Sequence, residues 1–362
     1  MTNRTHFLLS SAFAALALSA CMPMQAEVQS VAAEPVAAAP TELADISALF
    51  SDYDAAQLAM SPMGKAYRGV RDGDYSKWGD FSDTADVKQE ELQQSTVQKM
   101  RETYDLAKLS DEDALSYRLF DAQAKRSAER FKYRNYGYIF DQMNGAQSGL
   151  PAFLINIHRV SNLDEAAAYV DRIDGLGAAM DTLTAQSKER ADEGVMPPDW
   201  VYPYVISDIE NLLSAGDNNA ILLDFDAKLT ALNPLAADAA DLMAQAENSW
   251  NDAARPAYER LLTEMKRQQA IAPTDDGIWR FPEGAAYYKA LLANYTTTDL
   301  TADEIHNIGL REVDRIHGEM RTIMKQVGFE GTLQEFFDYT RTGEQFFYTN
   351  REDYLAAVQE KL

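Results

Sequence analysis

Cysteine is nearly absent: the chain of 362 residues has one, Cys21, so no intramolecular disulfide can form and stability must come from core burial. Histidine is almost as scarce, with four in all, and His158, His306 and His317 are the ones past the N-terminal segment. There is no H-E-x-x-H, no P-loop, no G-x-S-x-G and no dinucleotide fingerprint, so none of the short motifs that announce a metalloprotease, NTPase, serine hydrolase or dehydrogenase is present. Basic residues are outnumbered, 33 Lys and Arg against 57 Asp and Glu, for a net charge of −24. Such a surface stays soluble and repels phosphate backbones, which argues against nucleic acid as a partner. Runs of alternating Val, Ile, Thr and aromatic residues are also missing, which excludes a β-rich fold.

Residues 1–20 have the form of a lipoprotein signal peptide. Arg4 supplies the positive start, Phe7 to Leu18 the apolar core, and Leu18-Ser19-Ala20-Cys21 a lipobox. The sole cysteine falls where a thiol must accept diacylglycerol, which makes Cys21 the expected lipidation site. The apolar core is shorter than the about 20 residues of a membrane span, so the expectation is a lipid-tethered protein. Met22 follows, with no Asp to retain the protein at the inner membrane, and the expected location is the outer membrane facing the periplasm. Residues 21–41 are rich in Ala, Pro and Val without period and read as a flexible tether.

From residue 42 on, Ala, Leu, Glu, Gln and Met dominate. The expectation is an all-α array of antiparallel amphipathic helices joined by long structured loops, in one unit running to Leu362. Helical spacing covers Thr41–Met60, Asp86–Leu109, Asp111–Tyr133, Ser161–Arg190, Val205–Leu213, Asp238–Gln269 and Glu283–Tyr295. The turn-rich stretch Gly64–Thr84 reads as a structured loop. So does Asn135–Ile157, with its glycines and Pro151, and this is the longer candidate for a functional loop.

The best-defined helix start is Thr301 with Glu304, a capping box, flanked by Leu300 and Ile305 as a hydrophobic staple. Counting at about 100° per residue, Ile308, Val313, Ile316, Met320, Ile323, Met324 and Val327 fall on one stripe, which predicts a helix buried on one side and ended by Gly328. Thr332 with Glu335 and Thr349 with Glu352 read as two further capping boxes. The last of these helices reaches Leu362 without a Gly, Asn or Pro to close it, and the expectation is a chain cut short.

Asp303 and His306, and Asp314 and His317, share a carboxylate-x-x-His spacing. Eleven residues of helix would separate the imidazoles by about 16 Å, too far for one metal ion. Tyr287 and Tyr288, near Trp279 and Phe281, could line a cleft or pack into the core, and His158 reads as a satisfied buried imidazole.

Together, Tyr287-Tyr288, the run Thr296-Thr297-Thr298-Asp299-Leu300-Thr301, Asp303 to His306, Gly309-Leu310, Glu312-Val313, Ile316 and Leu333 to Phe337 resemble the N-terminal half of the DUF885 family. That family comprises bacterial, mostly helical, often lipid-anchored proteins similar to zinc-dependent peptidases of the gluzincin type. The resemblance is close over 280–358 and diffuse over 42–277. It implies peptide-bond hydrolysis by a zinc-bound water, with the metal held by a signature like H-E-x-x-P-G-H-H that would lie beyond Leu362. No metal or catalytic residue is therefore assigned in this chain, which alone would be inactive. Tyr287, Tyr288 and His306 are the expected cleft-facing residues. Tyr295 stands where a His would be expected and departs from the pattern. The alternative is a non-catalytic helical lipoprotein that binds a peptide or an envelope partner.

Overall fold

The computed structural model describes residues 45–362; the signal segment, Cys21 and the tether lie outside the described residues. All regular structure among them is helical, as expected: α1 (Ile46–Ala59), α2 (Pro62–Tyr67), α3 (Asp83–Thr103), α4 (Asp111–Phe131), α5 (Ala146–Asn156), α6 (Leu163–Asp192), α7 (Tyr202–Ser214), α8 (Ala220–Leu232), α9 (Ala236–Ser249), α10 (Arg255–Gln269), α11 (Gly284–Thr296), α12 (Ala302–Gln326), α13 (Leu333–Thr342) and α14 (Arg351–Lys361). None of these helices is long and apolar enough to cross a membrane.

The 30-residue α6 is the axis of the core. Asn162 caps it by accepting from the Glu165 amide. Tyr169, Ile173, Leu176, Met180 and Leu183 then recur at helical spacing and pack with residues of α5, α7, α8, α9 and α10 in one apolar cluster. Each such side chain contributes about 1.5–3 kcal/mol by leaving water. Between α9 and α10 the helix widens into a π segment, Trp250–Ala254. It meets α6 at Gly177, where an added Cβ would lie 2.6 Å from the Ala253 carbonyl oxygen. A second, smaller core joins Ile46 and Leu49 of α1, Val97 and Met100 of α3, and Phe120 and Ala124 of α4.

A fully buried guanidinium stands at the centre, without a carboxylate. Arg172 donates from Nε and Nη2 to the Lys77 carbonyl at 3.1 and 3.0 Å and from Nη1 to His158 Nδ1 at 2.9 Å. Its charge lies 5.1 Å from the Tyr75 ring and 4.8 Å from that of Phe153. Because Nδ1 accepts, the proton of His158 sits on Nε2, which donates to the Glu165 carbonyl at 3.0 Å. His158 is thus the satisfied core imidazole its apolar setting suggests.

The segment 135–157 departs from its reading as a loop, since α5 occupies its second half with Pro151 inside the helix. Proline at 151 cannot supply the amide that the Gln147 carbonyl would otherwise accept. The Tyr258 hydroxyl donates to that carbonyl instead, at 2.9 Å, and both groups are buried. Lys228 donates to the free carbonyls of Leu154 and Ile155 at the other end. Gly64–Thr84 also begins in a helix, α2, before its turns. A further helix, α8, was not anticipated, although Asn219 caps it and Leu222, Phe225 and Leu229 bury one face.

The capping boxes at Thr301 and Thr332 form as expected, each with its Glu side chain returning to the cap amide. At the last helix the cap is Asn350, which accepts from the Asp353 amide, rather than Thr349. Asn caps at least as well as Thr, and from Asn350 the side chain reaches the amide of Asp353, which shifts the helix start by one residue. The main correction concerns α12: of its stripe only Met324 is buried, while Val313, Ile323 and Val327 are 48%, 50% and 63% exposed. An amphipathic pattern requires a partner, and among the described residues α12 packs chiefly on α13.

Candidate functional site

A polar concavity of ≈ 660 Å³ lies between α3 and α4. Ser82 caps α3 and so fixes the phase of Asp86, Gln89, Glu90 and Gln93, which share one face at i, i+3, i+4 and i+7. Across from them α4 presents Gln123, Arg126, Ser127 and Arg130 at the same spacing. Two polar stripes therefore face each other, while the apolar faces of the same helices close the smaller core. Gln57 of α1 and Asn294 of α11 complete the rim.

A short network fixes the floor. Glu90 accepts from Ser127 Oγ at 2.7 Å and from Gln94 Nε2 at 2.7 Å, and the same amide donates to the Ala124 carbonyl at 2.9 Å. Arg134 pairs with Asp83 at 2.6 and 3.1 Å, and the guanidinium holds that carboxyl below its usual range. Gln93 is 7% exposed, yet its amide has no hydrogen-bond partner among the described residues. Arg126 likewise forms no ion pair among them. Both side chains line the groove, so their polar ends are open to a molecule in it.

Next to the groove, where α4 ends, Tyr133, Tyr136, Phe281 and Tyr287 form an aromatic cluster. Tyr287 lies 5.5 Å from Tyr133 and 5.3 Å from Tyr136, and Tyr136 lies 5.5 Å from Phe281. Burial pushes the Tyr287 phenol up. Arg280 donates to the Tyr138 hydroxyl at 3.1 Å and to the Met196 carbonyl, anchoring the cluster to the connector before α7.

Of the residues singled out from the sequence, Tyr287 is in this cluster. Tyr288, 46% exposed, follows it on α11 and faces water, and His306 is exposed near the start of α12. The structure does not gather these three into one constellation. The groove-lining polar residues are not among them, although they recur at i, i+3, i+4 and i+7 on both helices. No three His, Cys, Asp or Glu among the described residues stand close enough to hold a metal ion. The described residues therefore do not fit a zinc site. What the groove offers is amide and guanidinium donors, amide and carboxylate acceptors and an aromatic shelf, which is equipment for binding.

The fold is an all-α helical array. Residues 62–362 match the family described as "Bacterial protein of unknown function (DUF885)", and the chain belongs to that family. No curated protein matches it. It is similar to a crystal structure described as "the putative lipoprotein from Colwellia psychrerythraea", with a TM-score of 0.74 at 19% identity over 87% of this chain. The match covers 57% of that other chain, so the likeness concerns the fold and little more than half of the longer protein.

Proposed function

We propose that this chain is the substrate-holding helical part of a lipid-anchored, zinc-dependent peptidase of the bacterial envelope. In this reading the acyl anchor is on Cys21, and the metal and the residues that activate water lie in sequence beyond Leu362. The observation that carries the reading is the α3/α4 groove. A peptide in extended form offers one amide donor and one carbonyl acceptor per residue, and a Gln or Asn side chain answers both at once. Gln57, Gln89, Gln93, Gln123 and Asn294 supply such side chains along the groove. Family membership, the lipoprotein described above and the uncovered apolar face of α12 support the same reading. A zinc ion held by residues other than those described would supply the Lewis-acid chemistry of such a peptidase. The residues described here would hold and orient the peptide.

A peptide-library digest with the protein encoded by the full reading frame, with and without chelator, tests this. Cleavage abolished by the chelator and restored by zinc is expected, and cleavage indifferent to metal removal would overturn the mechanism. A second reading, a non-catalytic lipoprotein that binds peptides or an envelope partner, draws on the same groove. A reading frame that stops after codon 362, or continues without a His-Glu pair followed closely by another His, favours it. Elemental analysis of the 362-residue chain should find no stoichiometric zinc.

A further inference from the structure

On another face, α2 is followed by Gly69, whose φ of +76° turns the chain, and Arg68 and Arg71 on either side of it line one pocket. With Arg159, Asn156 and Tyr67 they line ≈ 380 Å³, and no Asp or Glu is among the lining residues. In a chain with a net charge of −24, a pocket whose charged lining residues are all cations is a marked local reversal. Arg68 is matched by Asp54 through two bonds of 2.6 and 2.7 Å. Arg71 uses Nη1 on Ser161 at 3.0 Å and on Glu165 at 2.9 Å, which leaves its Nε and Nη2 edge without a partner among the described residues. Arg159 is held by its backbone, through its amide to Tyr75 Oη at 2.8 Å, while its guanidinium has no ion-pair partner among the described residues. After Asp54 and Glu165 are counted, the pocket keeps about one positive charge. Tyr67, 63% exposed with its ring edge-on to Phe153 at 5.4 Å, forms an aromatic side wall.

We propose that this pocket binds a carboxylate borne on an apolar or aromatic body, with Arg159 and the free edge of Arg71 as donors and Tyr67 against the body. A single residual charge suits a monoanionic carboxylate better than a phosphate dianion. Arg71 and Arg159 both line the pocket, and the edge of a guanidinium offers the paired N–H geometry that a carboxylate accepts. The acid can be a free small molecule or the C-terminus of a peptide, since both present the same group. The inference stands apart from the peptidase reading, because it needs neither the α3/α4 groove nor a metal.

Calorimetric titration with N-acetyl-L-phenylalanine and with its carboxamide tests the charge requirement, and the tripeptide Ala-Ala-Phe as acid and as amide tests the source. Saturable binding of either acid, with the matching amide at least about tenfold weaker, is expected, as for loss of a hydrogen bond to a charged group. The acid that binds more tightly identifies the source. Arg159→Gln should lose that preference, Arg159→Lys should keep part of it, and Arg118→Gln, a solvent-facing change on α4, should keep all of it. Equal binding of acid and amide, unaltered binding by Arg159→Gln, no saturable binding of either acid, or tighter binding of inorganic phosphate would each overturn the proposal.

Discussion

The Tyr258 hydroxyl takes the place of a missing backbone amide by donating to the Gln147 carbonyl at 2.9 Å, one turn before Pro151. This bond explains how a proline is tolerated inside α5, and it makes a coupling measurable. Tyr258→Phe should orphan the buried carbonyl and destabilise the protein by about 1–3 kcal/mol in urea unfolding. In a Pro151→Ala background the alanine amide can bond Gln147 along the helix, so the same Tyr258→Phe change should cost much less. Equal costs in the two backgrounds would show that the hydroxyl does not stand in for the amide.

Burial, and beyond it the charges of Arg172 and Lys228, hold His158 down at about 3, although its bond to the Glu165 carbonyl works the other way. The unfolded chain takes up this proton near the ordinary value of about 6.5, whereas the folded chain resists it until about 3. The contribution of the neutral imidazole is therefore complete above about pH 6.5 and falls away as the pH drops, by about 1.4 kcal/mol per unit. His158→Gln, which can still accept from Arg172 and donate to Glu165 but does not titrate, should lack this slope. The stability difference between wild type and variant should shift against wild type by about 2 kcal/mol from pH 7 to about pH 5. A difference constant over that range would mean that His158 is not buried as a neutral ring.

What could be read from the sequence was local. Thr301 and Thr332 capped their helices because a Thr-x-x-Glu box closes on itself within four residues. Gly328 ended α12 at φ +72° for the same reason. What could not be read depended on partners distant in sequence. Pro151 looked like a helix breaker because Tyr258, which accommodates it, comes more than a hundred residues later. The spacing of the α12 stripe predicts a buried face because it specifies a face without specifying whether anything covers it. The groove is not legible because polar residues at helical spacing normally face open water, and only the pairing of α3 with α4 sets the two stripes against each other.

Gly177 is required by the width of the π segment opposite. Gly177→Ala would set a methyl 2.6 Å from the Ala253 carbonyl oxygen, against backbone on both helices. Neither α6 nor the segment can yield by moving one side chain. The expected loss is at least about 1–3 kcal/mol, as for overpacking a close-packed core. Gly309→Ala on α12, where an added Cβ meets nothing within 4 Å, should be neutral or stabilising. Thermal unfolding of the two variants side by side separates these outcomes.

The neighbours Tyr287 and Tyr288 should behave oppositely. Tyr287→Ala removes the ring between Tyr133 and Tyr136 and should cost about 2–4 kcal/mol. Tyr288→Ala alters a side chain that is 46% exposed and should stay within about 0.5 kcal/mol. The exposed stripe of α12 gives the same kind of contrast at longer range. Val313→Glu and Ile323→Lys should leave the unfolding midpoint nearly unchanged, because their side chains are 48% and 50% exposed. They should also reduce dye binding to apolar surface and any self-association in sedimentation, since a continuous apolar face is what drives both. If either substitution instead unfolds the protein, α12 is packed on its apolar side in solution. The stripe would then be part of the core that its spacing first suggested.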